Sequence, residues 1–176
     1  MPTAGFANAL ATPALCAYGT RIDARNPLRV AGVLAEIWNG KVYKFLIPGS
    51  YLVLPFDNYG SHIVVFESGD VWVPGADVEA AKVSQTIPTD FVSAHVAISV
   101  PIDHQQIEQI GQREGWRVLT RRQGDGIPFS AVEFWVENRC LFEFFSPEFA
   151  PQYLQTMQPK AIDRILSQPI DFAPVP

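Results

Sequence analysis

The sequence predicts an α+β fold in which two strand–helix–three-strand modules form curved mixed sheets around a cup, followed by a helical tail. Three observations predict it. The same order of elements, strand, helix and three strands, occurs twice, with equivalent points about 80 residues apart. Both helices are announced by capping residues, and the remaining segments are short β-type runs separated by turn residues.

Residues 1–13 contain Gly5, Pro2, Pro13 and small side chains without a clear period, and are expected to form an irregular arm. Residues 15–22 suit a strand. Asp23 and Asn26 offer N-cap side chains ahead of Pro27, which fits a first helical position. Leu28, Ala31, Leu34, Ile37 and Trp38 then recur at helical spacing until Asn39-Gly40 stops the run. Three β-type runs follow at 42–46, 51–56 and 62–66, separated by Pro48-Gly49-Ser50 and Asp57-Asn58-Tyr59-Gly60. Residues 68–93 form a connector, with a helical turn expected over 77–83.

The second module begins with the strand 94–100. Asp103 caps a helix whose Ile107 and Ile110 face one way, and Gly115 lies past its end. A strand at 116–120, a loop at 123–128, a strand at 129–136, a tight turn at Glu137-Asn138 and a strand at 139–145 complete it. Pro147 and Pro159 each open a helical piece of the tail, which carries Phe149, Tyr153, Leu154, Met157, Ile162, Ile165 and Leu166. The chain therefore reads as one domain over 1–176, with modules at 14–67 and 94–145, a connector at 68–93 and a tail at 146–176.

Composition narrows the function. The chain is 48% apolar and 12% aromatic, a globular composition, and its apolar runs fall short of the roughly 20 residues of a membrane span. The net charge of −5 is scattered, without a basic stripe, so nucleic acid is not an expected partner. Arg121-Arg122 reads as a solvated strand end. Cys16 and Cys140 lack CxxC partners and read as buried thiols. The apolar N-terminus has no positively charged leader, so a cytoplasmic location is expected. There is no Gly-rich phosphate loop, no GxSxG elbow and no HExxH helix.

The residues able to carry chemistry lie in the second module. A two-residue turn at Glu137-Asn138 puts Glu143 on one face with Val132, Phe134 and Leu141, whereas a three-residue loop would put it with Glu133 and Trp135. A carboxylate between Phe142 and Phe144 needs a metal, a cation, a hydrogen-bond donor or an open cavity, because unpaired burial costs several kcal/mol. His95 starts the strand expected beside it. His62 and His104 sit at a strand start and in a helix's first turn.

The motifs Ala-His-Val-Ala-Ile-Ser-Val at 94–100 and Val-Glu-Phe-Trp-Val-Glu-Asn-Arg-Cys-Leu-Phe-Glu-Phe-Phe at 132–145 resemble the vicinal-oxygen-chelate superfamily, the glyoxalase and bleomycin-resistance fold. The resemblance spans most of residues 14–145. In metal-dependent members a first-strand histidine and a last-strand glutamate of each module bind a divalent metal, and His95 and Glu143 match those positions. The first module departs from the pattern: its first strand has no histidine and Val64 stands in the glutamate's place, with His62 two residues earlier on the same face and Glu67 on the opposite one.

Three functions are implied. The first is a cup holding a small organic molecule without a complete metal site, oriented by His95 and Glu143 and lined by Tyr43, Tyr51, Phe134 and Trp135. The second is a lyase, isomerase or dioxygenase in which His95, Glu143 and either His62 or Glu67 hold zinc, nickel, manganese or iron. The third is an interaction module whose apolar tail docks a second copy to form a homodimer.

Overall fold

The computed structural model describes residues 19–122 and 128–166. The N-terminal arm, residues 15–18 of the expected first strand, Cys16, most of the 123–128 loop and the end of the tail lie outside the described residues. Two sheets of like topology carry the architecture. The first contains β1 (Gly19–Ala24), β2 (Lys41–Lys44), β3 (Tyr51–Leu54) and β4 (His62–Glu67), in the order β1-β4-β3-β2 with β1 parallel to β4.

Helix α1 (Pro27–Trp38) links β1 to β2. The Asn26 side chain accepts from the Arg29 backbone N–H at its start, and Asn39, in the left-handed conformation, closes its end.

A hairpin, β5 (Asp70–Val73) and β6 (Lys82–Gln85), follows the first sheet. This corrects the helical turn expected over 77–83. The hairpin is held by the pairing of Trp72 with Val83 and Asp70 with Gln85 and docks on the first sheet: Trp72 lies 5.8 Å from the Phe66 ring, and Gln85 donates to the Asp70 carboxylate.

The second sheet repeats the first. It contains β7 (His95–Ser99), β8 (Val118–Arg122), β9 (Ser130–Val136) and β10 (Cys140–Phe145), in the order β7-β10-β9-β8, with α2 (His104–Glu114) between β7 and β8. Asp103 and Gln106 form a reciprocal capping box at the start of α2. Gly111 lets this helix lie close to its sheet, because a Cβ there would be 2.9 Å from the Val118 side chain and 3.0 Å from the Phe134 ring. Two helices, α3 (Ala150–Thr156) and α4 (Pro159–Leu166), form the described part of the tail, and α4 buries none of its residues.

Each sheet packs its helix on one face and leaves the other concave. The helix-side residues Ile22, Val53, Ile63, Val65, Val132, Phe134, Phe142 and Phe144 belong to one buried cluster that runs through both modules. Polar contacts join the modules as well. Arg113 pairs with Glu36 at 2.7 Å and Arg29 with Glu114 at 2.8 Å. The Glu137 carboxylate accepts from the backbone N–H groups of Arg25 and Asn26, at 2.6 and 2.8 Å, at the start of α1.

Candidate functional site

Strand alternation decides which residues face the concavity. In the second sheet Cys140 pairs with Val136, so the connection is the three-residue loop 137–139 rather than a two-residue turn. Glu137 and Asn138 both have positive φ, 49° and 57°. Glu143 therefore pairs with Glu133 and Leu141 with Trp135, all on the concave face. Phe134, expected beside Glu143, points the other way. It is fully buried against Trp116 and Phe144, under α2.

Tyr51 is corrected in the same way. It pairs with Val65 and packs against the core on the α1 side, so it does not line the cup. Tyr43, paired with Leu52 on the concave face, is 44% exposed and lies edge-on to Phe56.

The structure brings His95 and Glu143 together. His95 pairs laterally with Leu141 and Glu143 with Ala97, and His95 Nε2 lies 3.0 Å from Glu143 Oε2. The carboxylate is largely covered, at 14% exposure, while the imidazole is half open at 51%. A neighbouring pair, Arg121 to Glu133 at 2.5 Å, gives the second of the two facing carboxylates a basic partner on the outer strand β8, as His95 on β7 does for Glu143. Arg121, expected at a solvated strand end, is half exposed and also ion-paired. Its partner is on a different strand, and only the register of β8 against β9 reveals it.

The two sheets are equivalent residue by residue. Gly19 pairs with His62 and Arg21 with Val64, as His95 pairs with Leu141 and Ala97 with Glu143. Gly19 thus occupies the place of His95, His62 that of Leu141, and Val64 that of Glu143.

The missing first-strand histidine is replaced by an imidazole from another strand. A Cβ on Gly19 would lie 2.2 Å from His62 Nε2, so only glycine leaves room for the His62 ring. His62 Nδ1 donates to the Gly60 carbonyl at 3.0 Å, which leaves Nε2 as the acceptor in the neutral ring.

His62 and His95 line one cleft of about 250 Å³ between the edge strands β1 and β7, together with Gly19, Trp38, Ser61 and Ala97. Both ends of the concave face are stoppered. At one end Phe66 is covered by Trp72 and by the Arg21 guanidinium, 4.2 Å from the ring centre; burial lowers the pKa of this guanidinium, opposed by Asp23 and Asp70. At the equivalent position in the second sheet Phe145 is stacked by Tyr153 at 4.3 Å and met edge-on by Phe129. None of these covering rings lines the cleft that holds the two histidines. Trp135 lies apart from it, in a shallow pocket with Phe91, Arg117 and Asn138.

A catalytic metal centre commonly takes three protein ligands and keeps an open position. Among the described residues no group of three His, Cys, Asp or Glu side chains comes together to supply them. Glu67, the other candidate ligand, closes β4 on the face opposite His62 and is exposed.

No family model matches the sequence, and no curated protein matches it. Solved structures do. The fosfomycin resistance protein FosX from Listeria monocytogenes, complexed with Mn(II) and sulfate, aligns at 12% identity over 81% of this chain and 97% of its own, with a TM-score of 0.52. A monoclinic form of the same protein at pH 6.5 aligns at 12% identity over 81% and 98%, with a TM-score of 0.50. A lactoylglutathione lyase from Agrobacterium tumefaciens aligns at 8% identity over 77% and 96%, with a TM-score of 0.49.

Proposed function

We propose that this chain, which has the vicinal-oxygen-chelate fold in a divergent form, holds a small organic molecule between its edge strands without a catalytic divalent metal. The observation that carries this reading is the pairing of His95 with Glu143 opposite a first module whose equivalent positions are Gly19 and Val64. The second module's two polar groups satisfy each other, and the first module offers His62 in place of a matching pair.

The cleft then recognises hydrogen-bond donors. With Nδ1 committed to the Gly60 carbonyl, His62 presents Nε2 as an acceptor. With Nε2 committed to Glu143, a neutral His95 presents Nδ1 as another. A cleft of about 250 Å³ suits a ligand of one or two rings, and Trp38 adds apolar wall. A molecule with two hydroxyl or amide donors meets both imidazoles, and Glu143 holds the His95 tautomer in place.

The test has two arms. Metal content of the purified full-length chain is measured together with thermal shifts on adding Mn(II), Ni(II), Zn(II) or Fe(II), and catechol is titrated as a two-donor probe into the wild type and into the His62→Ala and His95→Ala variants. The expected result is no stoichiometric metal and saturable catechol binding that each substitution weakens. Stoichiometric metal lost on His95→Ala, or catechol binding indifferent to both substitutions, would overturn the reading.

A further inference from the structure

We infer a second binding site, outside the histidine cleft, that receives a monocyclic aromatic carboxylate between Phe91 and Trp135 with its charge on Arg117. The pocket has a volume of about 160 Å³, and its fourth wall is Asn138. A cavity on the order of 150 Å³ holds a benzene-sized ring, so the space matches one ring and no more.

Charge chooses the ligand's polar end. Asp23, Asp70, Glu114 and Glu133 each have a cation or hydrogen-bond donor from another residue, whereas no carboxylate among the described residues pairs with the Arg117 guanidinium. Of the residues that line the pocket Arg117 alone is charged, and a guanidinium offers two parallel N–H donors, which match a carboxylate. Phe91, which lines the same pocket as Trp135, is 69% exposed.

The frame is set before any ligand arrives. Trp135 N–H donates to the Arg117 carbonyl at 2.9 Å, and the Arg117 N–H donates to the Asn138 side-chain oxygen at 2.6 Å. The Asn138 amide donates in turn to the Gly115 carbonyl at 3.2 Å. Phe91 is brought alongside by its neighbour Val92, whose N–H donates to the Arg139 carbonyl at 3.1 Å, and by the Thr89 hydroxyl, which donates to the Phe91 carbonyl at 2.7 Å. A backbone frame fixed in this way leaves only the side-chain rotamers of Phe91, Arg117 and Trp135 to be ordered on binding.

Titration calorimetry of the full chain with sodium benzoate at constant ionic strength tests the site, with the Trp135 indole resonance followed in parallel. Benzamide and acetate serve as the ring without the charge and the charge without the ring. Benzoate is expected to bind saturably at one site, to shift the Trp135 indole, and to bind more tightly than either fragment. Arg117→Gln is expected to weaken it about two- to fivefold, the upper part of the range for one partly exposed ion pair. Phe91→Ala, at an exposed position that the fold does not need, is expected to weaken it as well, while His95→Ala leaves it unchanged. Absence of saturable binding, an Arg117→Gln variant that binds as tightly as the wild type, or loss of binding in His95→Ala would each overturn the proposal.

Discussion

Arg139 is the most stringent test of how the two modules are held together. Its side chain is 3% exposed, yet it carries a full charge. Nη2 donates to the Thr89 carbonyl at 2.7 Å and to Asp23 Oδ2 at 3.3 Å, so one guanidinium ties β10's loop to the connector and to β1. Glu137, whose carboxylate accepts from the Arg25 and Asn26 N–H groups just before α1, lies 3.9 Å from Nη1. Removing one partner of a buried ion pair typically costs about 3 to 5 kcal/mol.

Two features put Arg139→Ala at the low end of that range. Nε and Nη1 are buried without hydrogen-bond partners, so part of the native cost of burying the charge disappears with it. Asp23, 22% exposed, also keeps its 3.0 Å bond from the Ser68 hydroxyl. We expect a loss of about 3 kcal/mol, which for a chain of this size lowers Tm by roughly 6 to 12 °C. Urea unfolding followed by tryptophan fluorescence reads it, and a cycle with Asp23→Asn should show a coupling of about 1 to 2 kcal/mol. A variant within about 0.5 kcal/mol of the wild type, or strictly additive substitutions, would refute the reasoning.

Two further outcomes are expected. Gly19→Ala should expel the His62 ring and break its bond to the Gly60 carbonyl, because the new Cβ would lie 2.2 Å from Nε2. The net stability change stays within about 1 kcal/mol, since the lost bond is offset by reduced freedom of the unfolded chain. The readout is therefore the His62 ring resonances, and unchanged resonances would contradict the placement. Burial pushes the Cys140 thiol up to about 11 from an ordinary 9.0. Between those values the folded state retains a proton that the unfolded chain releases, so this group's contribution is full below pH 9.0 and lost as pH rises through about 11. Denaturation of wild type and Cys140→Ala across that window should show the steeper fall in the wild type, and parallel curves would count against it.

Local chemistry determined much of this protein from sequence alone. Asn26, Pro27 and Asn39 bracket α1, and the Asp103–Gln106 box and Gly115 bracket α2, because caps satisfy backbone groups within a few residues of themselves. The repeated order of strands and helices follows from those helices and the turns between β-type runs. The meeting of His95 with Glu143 was legible too, since the first and last strands of a module lie side by side in this fold.

What needed the tertiary structure is which way side chains face. One residue more in the 137–139 loop turned Phe134 into the core and put Glu133 and Trp135 beside Glu143. That loop is shaped by contacts far away in sequence: Glu137 on the start of α1 and Asn138 on the start of β8. The β5–β6 hairpin was likewise decided by Phe66, whose concave face needed Trp72 as a cover. The His62 ring could fill the space over Gly19 only once β1 lay parallel to β4. A strand's period of two makes every facing assignment hang on register, and register is set by partners that a single stretch of sequence does not contain.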